Sequence, residues 1–327
     1  MSAKHPPIEL SVIAPMYNEE DNVETTIQAI QAALEDFSEP WELVFVNDGS
    51  TDNTLEVARS WEAKVENLRV LSYPVNVGRG KALRTGFENA RGQYVVSIDF
   101  DLTYSPDHIL RLYRELKDNP NVDVVLGSAY MKGGKTVGVA PFHLFLSRWG
   151  NRVLEIAFGG RFKTITCVLR GYRREVLEAL VLESNRKEIH LEILSKVVAL
   201  GYYVVEIPAT LTRRQKGKSK TRFGKTSISH LLFSVYERPV ILFSMLGAVL
   251  LVIGFIFGIY LSVLRFIGQL NPGRPLFYVV VLFIVTGVQL LSFGVIAGQN
   301  SFLRNEIYKL QSRLKLMENR DRHTNQD

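Results

Sequence analysis

Two long apolar runs without a charged residue constrain the fold more than any other feature of this chain. The first has 26 residues between Arg238 and Arg265, and the second has 29 between Arg274 and Arg304. As α-helices, with a rise of about 1.5 Å per residue, both runs exceed the roughly 30 Å of a bilayer's hydrocarbon core. The short connector contains the turn sequence NPG at 271–273. The sequence therefore predicts a transmembrane helical hairpin over residues 239–303.

Basic residues are distributed unevenly around this hairpin. Seven lysines and arginines lie at 213–225, before the first run, whereas the connector carries only Arg265 and Arg274. The residues after the second run again include several basic side chains: Arg304, Lys309, Arg313 and Lys315. The positive-inside rule places both flanks in the cytoplasm. Because the first ten residues lack the apolar stretch of a secretory signal, we expect an integral membrane protein whose large N-terminal domain and both termini are cytoplasmic.

The net charge of +6 is likewise explained by the basic residues that flank the apolar runs. Its concentration beside an apolar run favours anionic lipid headgroups or a phosphate-bearing substrate, and no nucleic-acid partner is expected. Residues 213–238 read as a basic loop followed by an amphipathic helix at the membrane interface. The single cysteine, Cys167, excludes an intrachain disulfide.

A heptad pattern follows the hairpin in the segment 304–327, which we expect to be a cytoplasmic helical tail. Apolar residues recur at alternating spacings of four and three at Leu303, Ile307, Leu310, Leu314 and Met317. About two heptads favour equally a short oligomeric coiled coil and a helix that rests on a neighbouring surface. A homo-oligomer is therefore one of two open interpretations.

The segment 1–212 alternates strand and helix patterns, which predicts an α/β domain. Near-continuous apolar strands between helices indicate a mostly parallel sheet covered on both faces, and ligands of such sheets bind at the carboxyl ends of the strands. Polar clusters follow four of the predicted strands, at 15–20, 47–52, 76–81 and 99–101. We therefore expect one ligand site at this edge of the sheet.

The last of these clusters carries the clearest chemistry. Asp99 and Asp101 point to the same side of an extended chain, so together they can hold a divalent cation against a diphosphate. Neither a phosphate-binding P-loop nor a dinucleotide fingerprint is present, because GRGKA at 78–82 has the wrong spacing. Two interpretations of this segment stay open: the glycines let a loop approach the ligand, with Arg79 or Lys81 facing phosphate, or the segment is a helix N-terminus with exposed basic residues.

Together these motifs resemble a known family. The chain is similar to the inverting family-2 glycosyltransferases of GT-A fold, in particular the polyprenyl-phosphate branch typified by dolichyl-phosphate mannose synthase and by bacterial polyprenyl-phosphate glucosyltransferases with a membrane hairpin. The resemblance covers residues 8–310 and rests on motifs in the family's order: PMYNE (15–19), NDGSTD (47–52), GKALRTG (80–86), DFDL (99–102), LSRWGN (146–151), RGYRREVL (170–177), Glu192 with LGY (200–202), RQKGKSK (214–220) and, in the second span, GVQLLSFGVI (287–296).

The resemblance implies an enzyme that moves a sugar from a UDP- or GDP-linked donor to a dolichyl or undecaprenyl phosphate. It implies Mg²⁺ or Mn²⁺ held by Asp99 and Asp101, and catalytic roles for Asp101, Arg148 and Arg170, the two arginines near the acceptor phosphate. It places the remaining nucleotide-sugar contacts at Pro15, Tyr17, Glu19, Val46, Asp48, Lys81, Phe100, Arg214 and Lys220. A lipid phosphate is ionised at neutral pH, so the reaction needs no strong protein base.

Departures from the family pattern concern mainly the acceptor. Thr103 stands where many members have a metal-binding glutamine, and Ala129 replaces an arginine. Thr164 and Val168 replace an acidic residue and a glycine. A membrane glycosyltransferase with another lipid or glycan acceptor, and a non-catalytic scaffold that keeps the fold, remain as alternatives. Phe145 stands where a processive synthase would need glutamine.

Overall fold

The computed structural model describes residues 7–139, 141–157, 160–212, 239–269 and 275–324. These residues form two compact units. The first combines the described residues up to 212 with those from Ile307 onward, and the second runs from Pro239 to Glu306. The predicted basic loop and interfacial helix at 213–238, and the predicted turn at 271–273, lie outside the described residues.

A seven-stranded sheet forms the centre of the first unit, with the strand order β3-β2-β1-β4-β7-β5-β8. Its strands are β1 (Leu10–Met16), β2 (Trp41–Asp48), β3 (Leu68–Tyr73), β4 (Tyr94–Ser97), β5 (Val124–Ser128), β7 (Arg170–Arg173) and β8 (Val204–Pro208). All neighbouring pairs are parallel except those of β7, which runs antiparallel to both β4 and β5. The α/β, mostly parallel prediction is confirmed, and the insertion of β7 is an addition to it.

Helices cover both faces of this sheet and connect its strands. They are α1 (Val23–Ala33), α2 (Thr54–Glu62), α3 (Arg79–Asn89), α4 (Asp107–Asp118), α5 (Pro141–Ala157), α6 (Arg174–Ala179) and α7 (Ile189–Leu200). The strands carry β-branched residues that are buried on both faces, as expected for a covered parallel sheet. In α1 the buried Val23, Ile27 and Ile30 recur at helical spacing and pack on the sheet.

A second, two-stranded sheet lies beside the carboxyl edge of the first. It pairs β6 (Lys135–Val137) with β9 (Thr210–Thr212) in parallel. Leu211 also forms an antiparallel bridge with Tyr104. The buried ring of His108 joins α4 to this sheet, since its Nε2 accepts the backbone N–H of Thr210 at 3.0 Å. The chain therefore leaves the catalytic domain beside the loop that follows β4.

Two apolar helices make up the second unit, α8 (Pro239–Phe266) and the first part of α9 (Leu276–Thr324). Both contain segments long and apolar enough to cross a membrane, Phe243–Phe266 and Leu276–Asp321. The helices approach closely at two glycines, because a Cβ added at Gly247 would lie 2.8 Å from the carbonyl oxygen of Gly287. Most of their large apolar side chains are exposed, as expected for surfaces that face lipid.

The last part of α9 belongs to the first unit and rests on the catalytic domain. The Nζ of Lys315 donates a hydrogen bond to the carbonyl oxygen of Leu180 at 2.5 Å. The Nζ of Lys196, on α7, lies 5.0 Å from the ring centroid of Tyr308. One face of this helix therefore rests on a neighbouring surface, which is one of the two interpretations of the heptad segment.

Candidate functional site

Hydrogen bonds join the loops after β1 and β2. Asn18 adopts a left-handed backbone conformation with φ of 51°. Its side-chain oxygen accepts the N–H of Thr51 at 2.8 Å, and its own N–H donates to Ser50 Oγ at 2.9 Å. Glu19 donates its N–H to Thr54 Oγ1 at 2.7 Å, and its carboxylate accepts from Asn22. Pro15, Tyr17 and Glu19 are all partly exposed at this edge, where the sequence predicts the nucleoside.

Asp48 joins the loop after β2 to the loop after β3. Its buried carboxylate accepts hydrogen bonds from Tyr73 Oη at 2.8 Å, Asn76 Nδ2 at 2.8 Å and the backbone N–H groups of Val77 and Gly78 at 2.9 Å each. Burial and then the bond to Asp48 raise the pKa of Tyr73 well above its usual range. Asp48 therefore shapes the strand-end loops, and its predicted contact with the nucleoside stays a prediction.

An ion pair joins the loop after β3 to the loop after β4. Arg79 Nη1, at the start of α3, lies 3.3 Å from Asp99 Oδ1, and the two side chains are 39% and 15% exposed. Lys187 lies in the same electrostatic environment. Burial lowers its pKa, and the Arg79 guanidinium lowers it further, while Asp99 and Glu188 oppose this shift. Arg79 and Asp99 are thus paired where the predicted diphosphate would lie, within the electrostatic range of Lys187.

The segment 182–186 is held against the first turns of α3. Arg84 donates to the carbonyl oxygen of Leu182 at 2.6 Å and to Asn185 Oδ1 at 2.7 Å, and Lys81 donates its backbone N–H to Asn185 O at 3.1 Å. A Cβ added at Gly80 would overlap Ser184 O and lie 2.6 Å from the carbonyl carbon of Asn185. The expectation that these glycines admit a ligand is corrected, because they admit the backbone that precedes Lys187.

The two aspartates lie on a strained turn after β4. Between Asp101 and Thr103, Leu102 has a φ of 50°, which is uncommon for a residue with a branched side chain. The N–H of Thr103 donates to Asp101 Oδ1 at 3.2 Å, and its carbonyl oxygen accepts the N–H of Thr212 at 2.8 Å. Asp99 and Asp101 are both partly exposed. The turn therefore presents two carboxylates beside Thr212, the last described residue before the basic residues at 213–225.

The donor set of this turn suits a hard divalent cation. Within the described ranges, no three His, Cys, Asp or Glu side chains come together as a metal site. Mg²⁺, however, is commonly bound by one or two carboxylates together with substrate phosphates and water. Asp99 and Asp101 supply the carboxylate oxygens for that arrangement, so the residues present fit a cation whose other ligands come with the substrate.

Three predicted site residues do not face the site. The Val46 side chain is fully buried in the sheet, and the Phe100 ring packs edge-on against Phe45 in the core, with centroids 4.8 Å apart. Arg170 is 0% exposed. Its guanidinium donates to the backbone carbonyls of Cys167 at 3.0 Å, Ile165 at 2.5 Å and His190 at 2.9 Å. The prediction that Arg170 meets the acceptor phosphate is therefore corrected, because its donors bind buried backbone.

Arg148 is exposed on α5, in accord with a contact to a ligand. Its guanidinium lies 5.8 Å from the ring centroid of Tyr130, whose hydroxyl donates to Ser147 Oγ at 2.7 Å. Phe145 and Trp149 are one helical turn apart on the same helix and are 64% and 51% exposed. This surface, Phe145, Arg148 and Trp149, is named the α5 face.

Apart from Thr103, which lies on the aspartate turn, the positions that depart from the family pattern lie in the interior near this helix. Ala129 and Val168 are buried, and Thr164 Oγ1 hydrogen-bonds Ser128 Oγ at 2.8 Å. The backbone N–H of Thr164 donates to the carboxylate of Glu206, also at 2.8 Å. These substitutions therefore alter packing behind the site. Arg214 and Lys220, predicted to close over the donor phosphates, lie outside the described residues.

The sequence reading missed Lys187. The segment before it carries no motif that marks it as part of the site. The docking of this segment on α3, about a hundred residues earlier, places Lys187 within the electrostatic range of Asp99 and Arg79. A buried ion pair supports this segment, since Glu192 accepts the N–H groups of Glu183 and Ser184 and the Nζ of Lys196. Glu192, one of the residues that carry the family resemblance, is the sequence signal nearest to this segment.

Comparison with known proteins places this site in a family. The family model described as glycosyl transferase family 2 matches residues 11–181, which contain the four strand-end loops. The chain belongs to glycosyltransferase family 2. It is 30% identical to the undecaprenyl-phosphate 4-deoxy-4-formamido-L-arabinose transferase of Pseudomonas aeruginosa, covering 89% of this chain and 84% of that protein. It is 27% identical to the enzyme of that name from Klebsiella pneumoniae, over 93% and 91% of the two chains.

Solved structures agree on the fold of this glycosyltransferase. The glucosyl-3-phosphoglycerate synthase of Mycobacterium tuberculosis, solved with Mn²⁺, UDP and phosphoglyceric acid, superposes with a TM-score of 0.54 at 22% identity. The superposition covers 69% of this chain and 78% of that one. The prediction of a family-2 glycosyltransferase with a GT-A fold is thus confirmed.

Proposed function

We propose that this glycosyltransferase transfers a sugar, with inversion, from a nucleotide diphosphate to a polyprenyl phosphate at the cytoplasmic membrane face. The observation that carries this proposal is the turn at Asp99 and Asp101, with Arg79 and Lys187 beside it, in a chain with two membrane-length helices. The named relatives, which are undecaprenyl-phosphate sugar transferases, support the choice of acceptor.

The donor half of the site would hold the nucleoside over the loops after β1 and β2. Pro15, Tyr17 and Glu19 line this position, and the bonds of Asn18 and Asp48 keep the loops in place. The diphosphate would then extend toward Asp99. Arg79 and Lys187 are placed to neutralise it, which is the main requirement for departure of a nucleoside diphosphate.

Asp99 and Asp101 would hold Mg²⁺ or Mn²⁺, and the ion, when bound, would add its positive charge against the leaving diphosphate. In the present structure Arg79 supplies the counter-charge of Asp99. Thr212 lies against the same turn, bonded to Thr103 O. Thr212 is the last described residue before the basic run, and its bond to the aspartate turn supports the proposed roles of Arg214 and Lys220.

The acceptor half would use the α5 face. Arg148 offers a guanidinium to the lipid phosphate, and the exposed aromatic rings of Phe145 and Trp149 suit an isoprenoid chain or the membrane interface. An ionised phosphate oxygen can attack the anomeric carbon directly, so the protein has to orient the acceptor behind the sugar. The domain limits 1–212, 213–238, 239–303 and 304–327 and the cytoplasmic orientation belong to the same proposal.

The test is a transfer assay with the full chain in detergent or nanodiscs. A panel of UDP- and GDP-sugars is supplied with Mg²⁺ or Mn²⁺ and undecaprenyl or dolichyl phosphate, and lipid products are identified by mass spectrometry. A polyprenyl-phosphate sugar is expected. Transfer only to another glycolipid or glycan would overturn the acceptor assignment. It would favour the alternative of a membrane glycosyltransferase with a different lipid or glycan acceptor. No transfer from any nucleotide sugar would overturn the enzymatic proposal.

A further inference from the structure

One face of α9 beyond Ile307 carries a regular apolar stripe that remains exposed. Ile307, Leu310, Leu314 and Met317 follow one another at spacings of three, four and three, and are 52%, 57%, 62% and 63% exposed. Single exposed apolar residues are common on protein surfaces, but four aligned on one helical face mark an interaction surface. This surface is named the tail stripe.

The opposite face of the same helix is already occupied. If the tail stripe takes heptad positions a and d, Tyr308 and Lys315 take position b and Ser312 takes f. Tyr308 and Lys315 contact the catalytic domain, and Ser312 is buried. Because b and f lie away from the a and d seam, docking on the catalytic domain turns the tail stripe outward. The described residues of the first unit therefore leave this stripe uncovered.

Charges beside the stripe select a partner of the same sequence. Arg313 takes position g and Glu318 takes position e of the next heptad, and both side chains are exposed. In a parallel coiled coil, position g of one helix faces the following e of the other, five residues later. Arg313 of each copy would therefore meet Glu318 of the other, twice in a symmetric pair. Ile307 at a and Leu310 at d follow the pattern that favours two strands.

The continuity of α9 supports this pairing. The helix runs unbroken from Leu276 to Thr324, so the apolar span leads directly into the stripe. Two copies in one bilayer would present their tails with the same chain direction, as a parallel pair requires. Two heptads are short for free helices, but confinement to a membrane raises the effective concentration of the tails.

We propose that the tail stripe binds the tail stripe of a second copy of this chain, as a short parallel coiled coil. The helix then has two distinct faces, one for its own catalytic domain and one for the other copy. Both interpretations of the heptad pattern are thus combined in one element. The residues at positions a and d, together with the charges of Arg313 and Glu318, identify a second copy of this chain as the partner of the tail stripe.

Cysteine cross-linking in native membranes tests this pairing. Leu310→Cys places thiols of two copies together at a d layer, and mild oxidation should produce a covalent dimer. Leu316→Cys is the matched control, a leucine on the same helix, 44% exposed, at position c. The unmodified chain gives the background of the buried Cys167. Absence of a dimer with Leu310→Cys, or equal cross-linking at the control, would overturn the proposal.

A charge exchange distinguishes self-pairing from coverage by lipid or by another segment of the chain. In the Leu310→Cys background, Arg313→Glu should reduce the cross-linked fraction several-fold, because it places Glu against Glu318. Adding Glu318→Arg should restore it. A reduction without restoration, or no reduction, would contradict the g to e pairing.

Discussion

The guanidinium of Arg79 lies 3.3 Å from the carboxylate of Asp99 and joins the loops that follow β3 and β4. This pair marks the centre of the donor site, because Asp101 follows on the same turn and Lys187 approaches from the start of α7. An ion pair this accessible adds little to stability, so its value lies in placing charge where a diphosphate would bind. The following expectations depend on that placement.

Asp101→Asn should reduce sugar transfer by about two orders of magnitude or more, since the amide cannot carry the charge that a divalent ion requires. Donor turnover as a function of Mn²⁺ concentration measures the effect. Asp36→Asn, an exposed carboxylate after α1, is the matched control and should leave the metal dependence unchanged. Transfer by Asp101→Asn at the wild-type rate would disprove the metal role.

Gly80→Ala should impair donor binding. The new methyl group would collide with backbone of Ser184 and Asn185, and its relief requires displacement of the segment that carries Lys187. We expect a loss of about 1–3 kcal/mol in stability and a several-fold weaker nucleotide affinity, measured by thermal unfolding and by titration with UDP and GDP. Gly150→Ala meets nothing within 4 Å and should be neutral or slightly stabilising.

Arg148→Ala and Arg170→Ala should have different effects, the first on acceptor binding and the second on stability. The first removes an exposed guanidinium and should raise the KM for polyprenyl phosphate while leaving nucleotide affinity and Tm unchanged. The second leaves three buried carbonyl groups without their donor and should cost about 3 kcal/mol or more of stability. Arg152→Ala, one turn beyond Arg148 and also exposed, is the control for acceptor binding. A stable Arg170→Ala variant would contradict the structural role.

Glu192→Gln should destabilise the fold in a pH-dependent manner. Burial alone would raise the pKa of Glu192, but the hydrogen bonds from Lys196 and from the backbone of Ser184 and Glu183 outweigh it and lower that pKa. The stabilisation is therefore complete above the ordinary glutamate pKa of about 4.3 and is lost as pH falls through the lowered value.

Thermal unfolding at a series of pH values measures this effect. We expect the variant to lose about 3 kcal/mol at pH 7, because the buried Nζ of Lys196 loses its anionic partner. The difference from wild type should shrink as the pH falls below 4. A constant difference across this range would show that the carboxylate charge is not the cause.

Local pattern was sufficient for much of this fold. Apolar strands, helical periodicity and the polar residues between them predicted an alternating α/β domain with a mostly parallel sheet, because these signals lie within a few residues of each other. The two apolar helices followed from length and the absence of charge alone. The loops at one edge of the sheet followed from the parallel arrangement, which brings successive strand ends together.

Side-chain direction and contacts between distant segments were not contained in those patterns. Phe100 lies within a motif and Val46 directly before one, but both side chains are buried in the core. Arg170 binds backbone because β7 enters the sheet between β4 and β5. Lys187 lies within the electrostatic range of Asp99 because Arg84 and the glycines of α3 hold the segment that precedes it, about a hundred residues away in sequence. Motif residues alone therefore defined the chemistry available to this glycosyltransferase. Packing, which sums many weak contacts across the whole chain, selected the side chains that reach the site.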